Sequence, residues 1–272
     1  MRELLSAEQL ASWDENGFLL IKGFYDRELE IAPIQQEVRE LMALVRRRMG
    51  ARLAGGEEFD EGLAEMAKTC REGASLVYDS VKKLPSYVQL ATCEKHARVA
   101  RQALRSSFVG FAPRGYGIRL DHPSEDKFLT QLHQDYTSQL GSPKGVVFWS
   151  PLRKVTREAG PVVLYAGSHR MGIQAIEKRG PGSYGLQLPN AGELRRRFPA
   201  AAPEVDVGDA VIMDYLLLHE SSPNRSAQTR WAMISRYFDF TESVGAGYGW
   251  KGGLAEGNSF ETVHPELTIW KT

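Results

Sequence analysis

The chain carries a histidine and an aspartate with one residue between them, His133 and Asp135, in the stretch LHQDY. Apolar residues flank the pair and predict a β-strand over residues 128–136. Because alternate residues of a strand point to the same face, this strand would place an imidazole beside a carboxylate. Both groups are common metal ligands. A lone His-x-Asp pair is frequent by chance, however, so a metal site requires a third ligand elsewhere in the chain.

His219 is the strongest candidate for that third ligand among the six histidines. It ends the apolar run AVIMDYLLLH (residues 210–219), and a histidine at the end of a buried strand can point into the mouth of a β-barrel. Two histidines and one carboxylate on one side of an ion leave three coordination positions open, which is typical of non-haem Fe(II) oxygenases. Taken alone, His219 is better explained as a core histidine with satisfied ring nitrogens.

Arg230 follows His219 by eleven positions and opens the strand predicted for WAMISRYFDF. If the two residues lie on adjacent antiparallel strands, their side chains can meet in one cavity. An arginine in that cavity can bind a carboxylate through two parallel hydrogen bonds. Ser221 lies two residues after His219 and could add a hydroxyl group.

The composition indicates a globular protein and gives no support for a nucleic-acid or membrane partner. Hydrophobic residues make up 42% of the 272-residue chain, and 34 basic residues balance 34 acidic ones. The arginine triplets at 46–48 and 195–197 are either solvated helix faces or patches that attract an anionic substrate. Cys70 and Cys93 form neither a metal-type spacing nor a disulfide framework. Because no apolar signal core or membrane-length run is present, we expect a cytoplasmic protein.

Helical patterns occupy the first part of the chain. Ser6 and Gln9 predict a capping box for a first helix that ends at Gly17, and the short strand FLLIKGF (18–24) follows. Further helices are predicted over residues 26–52, 60–72 and 96–106.

From residue 108 onward, short apolar runs separated by Pro, Gly, Ser and Asn predict strands. These runs cover residues 108–112, 116–120, 128–136, 145–152, 161–166, 202–207, 210–219 and 231–240. Such a series suggests an all-β sandwich or barrel. We therefore expect a mainly β fold with flanking helices in a single domain. Its parts would be an N-terminal helical layer (1–107), a β core (108–240) and a C-terminal loop and tail (241–272).

Several stretches, taken together in their order, resemble the phytanoyl-CoA dioxygenase family of Fe(II)- and 2-oxoglutarate-dependent oxygenases. They are LSAEQLASWDENGFLLIKGF, HQD, GPVVLYAGSHRMG and VGDAVIMDYLLLHESSPNRSAQTRW, within residues 6–24 and 108–240. The resemblance implies a double-stranded β-helix, which is a jelly-roll barrel of eight strands. It also implies iron, 2-oxoglutarate as cosubstrate, and O₂.

The resemblance implies a role for each residue of the pattern. The iron ligands would be His133, Asp135 and His219. Arg230 would pair with the far carboxylate of 2-oxoglutarate, and Ser221 would assist it. Related halogenases have a small residue in place of the aspartate, so Asp135 favours hydroxylation or another oxidation over halogenation. The implied enzyme hydroxylates an unactivated C–H bond of a small-molecule metabolite or natural-product intermediate and releases succinate and CO₂. The helical part before residue 108 and the tail would cover the substrate.

Five further residues are site candidates, each with a structural alternative. Gln131 shares the predicted face of the metal motif and could contact cosubstrate, or form a plain core hydrogen bond. Trp149 could wall the pocket or pack in the core. Tyr116 and Arg119 lie on an early strand where the family contacts cosubstrate or substrate, and a surface salt bridge is the alternative for Arg119. Thr137 could line the entrance or belong to a polar loop.

Two other classes of protein fit part of the pattern. One is a catalytically idle β-barrel that binds a ligand, and the other is a cupin-like metalloenzyme that needs no 2-oxoglutarate. The complete set of three ligands argues against the first class, and Arg230 argues against the second. For the enzyme we expect a small-molecule substrate rather than a protein or a nucleic acid.

Overall fold

A computed structural model describes residues 3–50, 58–178, 187–253 and 256–271. Helices occupy most of the described chain up to residue 104, and antiparallel strands follow. The helices are α1 (Ala7–Asn16), α2 (Ala32–Met49), α3 (Leu63–Thr69), α4 (Arg71–Val81), α5 (Pro85–Ala91), α6 (Glu94–Leu104), α7 (Tyr136–Gln139), α8 (Ala191–Arg197), α9 (Ser243–Gly247) and α10 (Phe260–Val263).

Eleven strands are present among the described residues. They are β1 (Phe18–Ile21), β2 (Val109–Phe111), β3 (Gly117–Asp121), β4 (Gly145–Pro151), β5 (Val162–Tyr165), β6 (Ile176–Lys178), β7 (Ala200–Ala201), β8 (Ala210–Asp214), β9 (His219–Ser221), β10 (Arg230–Asp239) and β11 (Thr268–Trp270). Single helical turns of other types cover Arg27–Ile31, Asp126–Phe128, Ser168–Met171 and Pro265–Leu267.

The first helix has the boundaries that its sequence predicts. The hydroxyl of Ser6 accepts a hydrogen bond from the backbone N–H of Gln9, whose side chain in turn accepts one from the backbone N–H of Ser6. This reciprocal pair satisfies two N–H groups that a helix start otherwise leaves without partners. Gly17 ends the helix with a φ of 76°, a left-handed conformation that glycine adopts without steric cost.

The main sheet is antiparallel and has the strand order β1-β8-β4-β10-β2, with β3 also paired to β10. The long strand β10 organises it, because one of its edges pairs with β4 and the other pairs with β3 and then with β2. The register places Arg230 opposite Asp121 on β3 and Arg236 opposite Val147 on β4.

Alternating side chains of the main sheet belong to two different cores. Phe148, Ile212 and Met233 face the N-terminal helices and share one hydrophobic cluster with them. Their chain neighbours on β4 and β8, such as Trp149 and Met213, lie on the opposite face in a second cluster. The sheet is therefore covered on both faces.

Helix α6 contributes a histidine to the helix-facing core. His96 is buried, lies 2.7 Å from the hydroxyl of Tyr25 and stacks on Phe148 with 4.2 Å between ring centroids. Burial lowers the pKa of His96 to about 3, so its ring is neutral at physiological pH. This histidine has a structural role.

A second, three-stranded sheet packs against the inner face of the main sheet. β5 pairs antiparallel with both β7 and β9, and its residues Val162 and Leu164 share the inner core with Trp149 and Met213. β9 begins at His219, so this histidine lies at the boundary between the two sheets. A separate parallel pair joins β6 to β11.

The expected mainly β class is wrong, because more of the described residues lie in helices than in strands and the fold is a mixed one. The excess of helical residues over strand residues comes from the region between residues 58 and 104, where four helices follow one another. The strands predicted within residues 108–112, 116–120, 145–152, 161–166 and 231–240 are confirmed. The three-part division of the chain stays a prediction. Among the described residues, no helix combines the length and apolar character that crossing a membrane requires.

Three of the predicted strands differ in the structure. Residues 128–136 form no strand, because Asp135 has helical backbone angles and starts α7. The run 210–219 divides into β8 and β9, because the Asp214 carboxylate accepts the N–H of Leu216 and turns the chain. Residues 202–207 contribute only one bridge to the fold, at Val205.

The carboxylate of Asp239, at the end of β10, makes the stability of the fold depend on pH. Burial by itself raises the pKa of Asp239, but hydrogen bonds from Ser106 and Thr241 and the ammonium of Lys144 outweigh this and lower it to about 2. A carboxylate with a depressed pKa stabilises the fold above its unfolded-state pKa, and this stability is lost as the pH falls through the folded-state value.

We expect Asp239→Asn to lower the free energy of unfolding by about 2 kcal/mol at neutral pH. The difference from the unmodified protein should shrink as the pH falls from about 4 to about 2. Urea unfolding over this pH range measures it, with Asp79→Asn at an exposed position of α4 as the control. A difference that is the same at all pH values would contradict the role of the charge.

Candidate metal centre

Backbone hydrogen bonds bring His133 and His219 side by side. The N–H of each residue donates to the carbonyl oxygen of the other at 3.1 Å, which forms an isolated antiparallel bridge. Residues directly opposite in such a pair carry neighbouring side chains. The two imidazole centroids are accordingly 4.2 Å apart. This pairing replaces the strand that the sequence predicts around His133.

The short helix α7 supplies the third side chain. Asp135 precedes α7, and its carboxylate lies beside both imidazoles. The Nε2 atom of His133 is 3.7 Å from Oδ1 of Asp135, and the Nε2 atom of His219 is 3.9 Å from Oδ2. One ligand atom from each of the three residues lies within 4.8 Å of the others. The three predicted metal ligands therefore converge in the structure.

The hydrogen bonds of both imidazoles leave their Nε2 atoms available to a metal. Nδ1 of His133 lies 2.8 Å from the carbonyl oxygen of Gln131, and Nδ1 of His219 lies 3.0 Å from that of Leu217. A carbonyl oxygen only accepts hydrogen bonds, so each Nδ1 carries the proton and each Nε2 keeps its lone pair. Carbonyl acceptors commonly orient metal-binding histidines in this way.

Electrostatics favour the protonation states that a metal needs at His219 and Asp135. Burial, together with the neighbouring His133, lowers the pKa of His219 to about 4, so the ring of His219 is neutral at physiological pH. Burial by itself raises the pKa of Asp135. The charge of Arg236 and the two imidazoles outweigh this effect, and the pKa of Asp135 lies well below its usual range. The site thus offers a neutral imidazole at His219 and an ionised carboxylate at Asp135.

This donor set fits a ferrous ion. Imidazole nitrogens suit iron among other transition metals, and two histidines with one carboxylate on one side leave positions open for further ligands. The side chains of Asp135 and His219 are 3% and 9% exposed, so the protein shields one side of the site from water.

Arg230 lies in the same cavity, where the protein fixes its guanidinium from several sides. Its Nε and Nη2 atoms are 3.2 Å and 3.0 Å from one oxygen of Asp121. It also donates to the backbone carbonyls of Gly160 and Ser222. The side chain is 4% exposed, so its charge acts in a region of low dielectric constant.

A cavity of about 80 Å³ lies over the three ligands. Seven of the ten predicted site residues line it: His133, Asp135, His219, Arg230, Ser221, Arg119 and Trp149. The structure does not bring the other three to it. Tyr116 packs against the rings of Tyr87 and Phe111, the Thr137 hydroxyl donates to the Gln134 carbonyl at 2.7 Å, and the Gln131 side chain donates to the Leu129 carbonyl.

The sequence analysis missed several lining residues, and Arg236 is the most consequential of them. Arg236 donates to both carboxylate oxygens of Asp135. Its position on β10, three alternations after Arg230, places it on the same face of the strand, so a period of two could have indicated it. Asp121 and Glu220 also line the cavity.

Arg195, the first residue of the arginine triplet at 195–197, forms an ion pair beside the site. Arg195 on α8 donates to both carboxylate oxygens of Glu220, at distances of 2.9 Å and 2.6 Å. The hydroxyl of Tyr165 also donates to Glu220 at 2.5 Å. Because Glu220 follows His219 in β9, this cluster ties the ligand-bearing strand to α8. Arg195 is therefore neither a freely solvated side chain nor an unpaired cation.

The fold and the donor set together define a non-haem iron oxygenase of the kind that uses 2-oxoglutarate. The family comparison agrees with this class. The chain belongs to the phytanoyl-CoA dioxygenase (PhyH) family, whose model matches residues 13–232. The resemblance inferred from the sequence is confirmed.

Individual relatives agree with the family assignment. A 1-deoxypentalenic acid 11-beta-hydroxylase of Streptomyces arenae is 28% identical over 242 residues, which cover 82% of this chain and 78% of that protein. Among solved structures, EctD from S. alaskensis in its apoform has a TM-score of 0.60 at 18% identity and covers 88% of this chain and 79% of its own. The non-haem alpha-ketoglutarate-dependent carbocyclase SnoK from nogalamycin biosynthesis has a TM-score of 0.55 at 18% identity, with coverages of 87% and 85%.

Removal of one ligand at a time tests the metal centre. We expect Asp135→Ala and His219→Ala each to weaken Fe(II) binding by at least about 100-fold, because each removes one of three donor atoms. Anaerobic calorimetric titration with Fe(II) measures the affinity. Asp126→Ala, at an exposed carboxylate outside the cavity, is the matched control and should bind Fe(II) like the unmodified protein. Unchanged affinity in both ligand variants would exclude this site as the metal centre.

Proposed function

We propose that the protein is an Fe(II)- and 2-oxoglutarate-dependent dioxygenase that hydroxylates a C–H bond of a small molecule and releases succinate and CO₂. The observation that carries this proposal is the convergence of three ligand atoms within 4.8 Å in a buried cavity. The side chains that hold the ferrous ion are His133, Asp135 and His219. The iron, with 2-oxoglutarate and O₂, supplies the oxidising chemistry, whereas the protein binds, orients and excludes water.

The double-stranded β-helix is part of the same proposal. The main antiparallel sheet and the three-stranded sheet pack face to face around a common core, as the two sheets of a jelly roll do. The metal-ligand residues lie where the sheets meet, with His219 starting β9 and Asp135 bonded to β10 through Arg236. This placement corresponds to the mouth of a small barrel, where ligand sites are common.

Arg230 and Ser221 are proposed to bind the far carboxylate of 2-oxoglutarate. The charges of the cavity support this role. Arg119 and Arg230 both pair with the single carboxylate of Asp121, which leaves one positive charge without compensation among these three groups. Because Nε and Nη1 of Arg230 already have protein acceptors, Nη2 is the atom that can donate to a carboxylate, and Ser221 lines the same cavity. The surplus charge thus favours a dianionic cosubstrate.

The substrate is proposed to occupy an adjoining space, because a cavity of about 80 Å³ is smaller than the usual site for an organic ligand. A second cavity of about 450 Å³ shares Arg119 and Asp121 with the first. One face of α4 lines it through Arg71, Ser75 and Tyr78. Helix α4 lies in the part of the chain expected to cover the substrate. The lining combines aromatic and charged side chains, which suits an organic molecule with both apolar and polar groups.

Arg230→Ala tests the proposed binding of the cosubstrate. We expect the affinity of the Fe(II)-loaded protein for 2-oxoglutarate to fall by about 10- to 100-fold, because a charge-assisted hydrogen bond and the charge of the guanidinium are lost. The affinity for Fe(II) itself should stay unchanged. Anaerobic calorimetry measures both affinities, and succinate formation under O₂ reports turnover. Arg225→Ala, at an exposed arginine paired with Asp126, is the control. Retained 2-oxoglutarate affinity in Arg230→Ala would contradict the proposed role.

Ser75→Trp tests the proposed substrate space by filling it. We expect this variant to lower kcat/KM for 1-deoxypentalenic acid, the substrate named for the curated relatives, by at least about 10-fold. Succinate formation without any substrate should not change, because the metal cavity is untouched. Asp79→Trp, elsewhere on α4 and outside the cavity, is the matched control. If substrate-free succinate formation fell equally, the variant would be acting on the metal site instead.

A further inference from the structure

Arg236 forms a two-pronged ion pair with the aspartate of the metal centre. Its Nε atom lies 3.2 Å from Oδ2 of Asp135, and its Nη2 atom lies 3.0 Å from Oδ1. Its remaining nitrogen, Nη1, donates to the backbone carbonyl of Gly115 at 2.7 Å. The guanidinium is thus fixed by three hydrogen bonds, and both carboxylate oxygens are engaged on the same side.

Stability alone does not explain this pair. The side chains of Arg236 and Asp135 are 14% and 3% exposed, so both charges have lost most of their hydration. The cost of that desolvation can exceed the attraction between the charges, and apolar residues of similar volume are often as stabilising as a buried ion pair. A positional role accounts for the pair better, since Asp135 is also a proposed metal ligand.

The geometry of the pair restricts how Asp135 can bind a metal. A carboxylate has about four lone-pair sites, two on each oxygen. When an arginine donates two parallel hydrogen bonds, it occupies the inner lone pair of each oxygen. A metal that is chelated by both oxygens occupies the same region. The two parallel hydrogen bonds from Arg236 and chelation by both oxygens are therefore mutually exclusive. One outer lone pair remains on each oxygen, and because the two point away from each other, a metal can bind only one of them.

We propose that Arg236 is a positioning residue that limits Asp135 to one-oxygen metal ligation. This inference rests on the proposed function. A ferrous ion held by His133, Asp135 and His219 would keep three positions open, which 2-oxoglutarate and O₂ would share. If Asp135 chelated through both oxygens, one of these positions would be lost. Arg236 thereby keeps the site able to accept the gas after the cosubstrate has bound.

The proposal depends on the fork of Arg236, meaning its planar pair of N–H donors, rather than on its positive charge. A lysine ammonium carries the same charge but presents it as a single point without a planar pair of donors. Arg236→Lys therefore keeps the charge and removes the fork, whereas Arg236→Met removes both. Arg153→Met is a matched control, because Arg153 forms a buried ion pair with Asp60 away from the metal centre.

Nitric oxide binding to the anaerobic Fe(II)- and 2-oxoglutarate-loaded protein tests the proposal. The paramagnetic resonance signal of the nitrosyl complex reports whether a coordination position is open, independently of turnover. We expect Arg236→Lys and Arg236→Met both to bind 2-oxoglutarate but to lose nitric oxide affinity by at least about 10-fold. Arg153→Met should behave like the unmodified protein.

The outcomes of these experiments distinguish a failure of the proposed role of Arg236 from a failure of the proposed function. If the unmodified protein bound neither Fe(II) nor 2-oxoglutarate, the proposed function itself would fail. If it bound both and Arg236→Lys retained full nitric oxide affinity, the fork would be irrelevant and only the role of Arg236 would be refuted. A crystal structure of the unmodified Fe(II) form gives a test that does not depend on variants that fold. Chelation of the iron by both oxygens of Asp135 in that structure would overturn the proposal.

Discussion

The candidate site depends on one backbone interaction, the mutual hydrogen bonds between His133 and His219. His133 lies in a connecting segment, whereas His219 begins a strand of the smaller sheet. Their pairing joins these two parts of the chain and fixes the positions of both Cα atoms. The conformational entropy of bringing two imidazoles together is therefore lost when the protein folds rather than when it binds a metal. Asp135 needs only the first turn of α7 to reach the same point.

Around this bridge, paired charges determine what the cavity can bind. Asp135 is neutralised by Arg236, and Glu220 beside His219 is neutralised by Arg195. Asp121 is the exception, because this one carboxylate pairs with the guanidinium groups of both Arg119 and Arg230. In a region of low dielectric constant such an imbalance is costly unless an anion compensates it. The arrangement of charges thus complements the donor set, because one part suits a cation and another suits an anion.

The residue types and spacing of the site can be predicted from the sequence, but the long-range contacts that bring these residues together cannot. The order and spacing of the His-x-Asp motif, His219 and Arg230 indicate the chemistry, and seven candidate residues reach the cavity. The period of two along β10 places Arg236 on the same face as Arg230, but its pairing with Asp135, about a hundred residues away, cannot be read from the sequence. The strand propensity of residues 128–136 was overridden by tertiary pairing and by the helical start at Asp135. Short helices such as α5 carry too weak a periodicity to be recognised with confidence from sequence.

Asp121 pairs with two arginines, of which Arg119 lines both cavities whereas Arg230 lines only the smaller one. A molecule that draws Arg119 toward itself leaves more of this carboxylate to Arg230, which then competes with any acid held there. Conversely, an acid bound to Arg230 leaves the carboxylate to restrain Arg119. The shared counter-ion would therefore couple the two proposed occupants, and by thermodynamic reciprocity the effect of each on the affinity of the other would be equal.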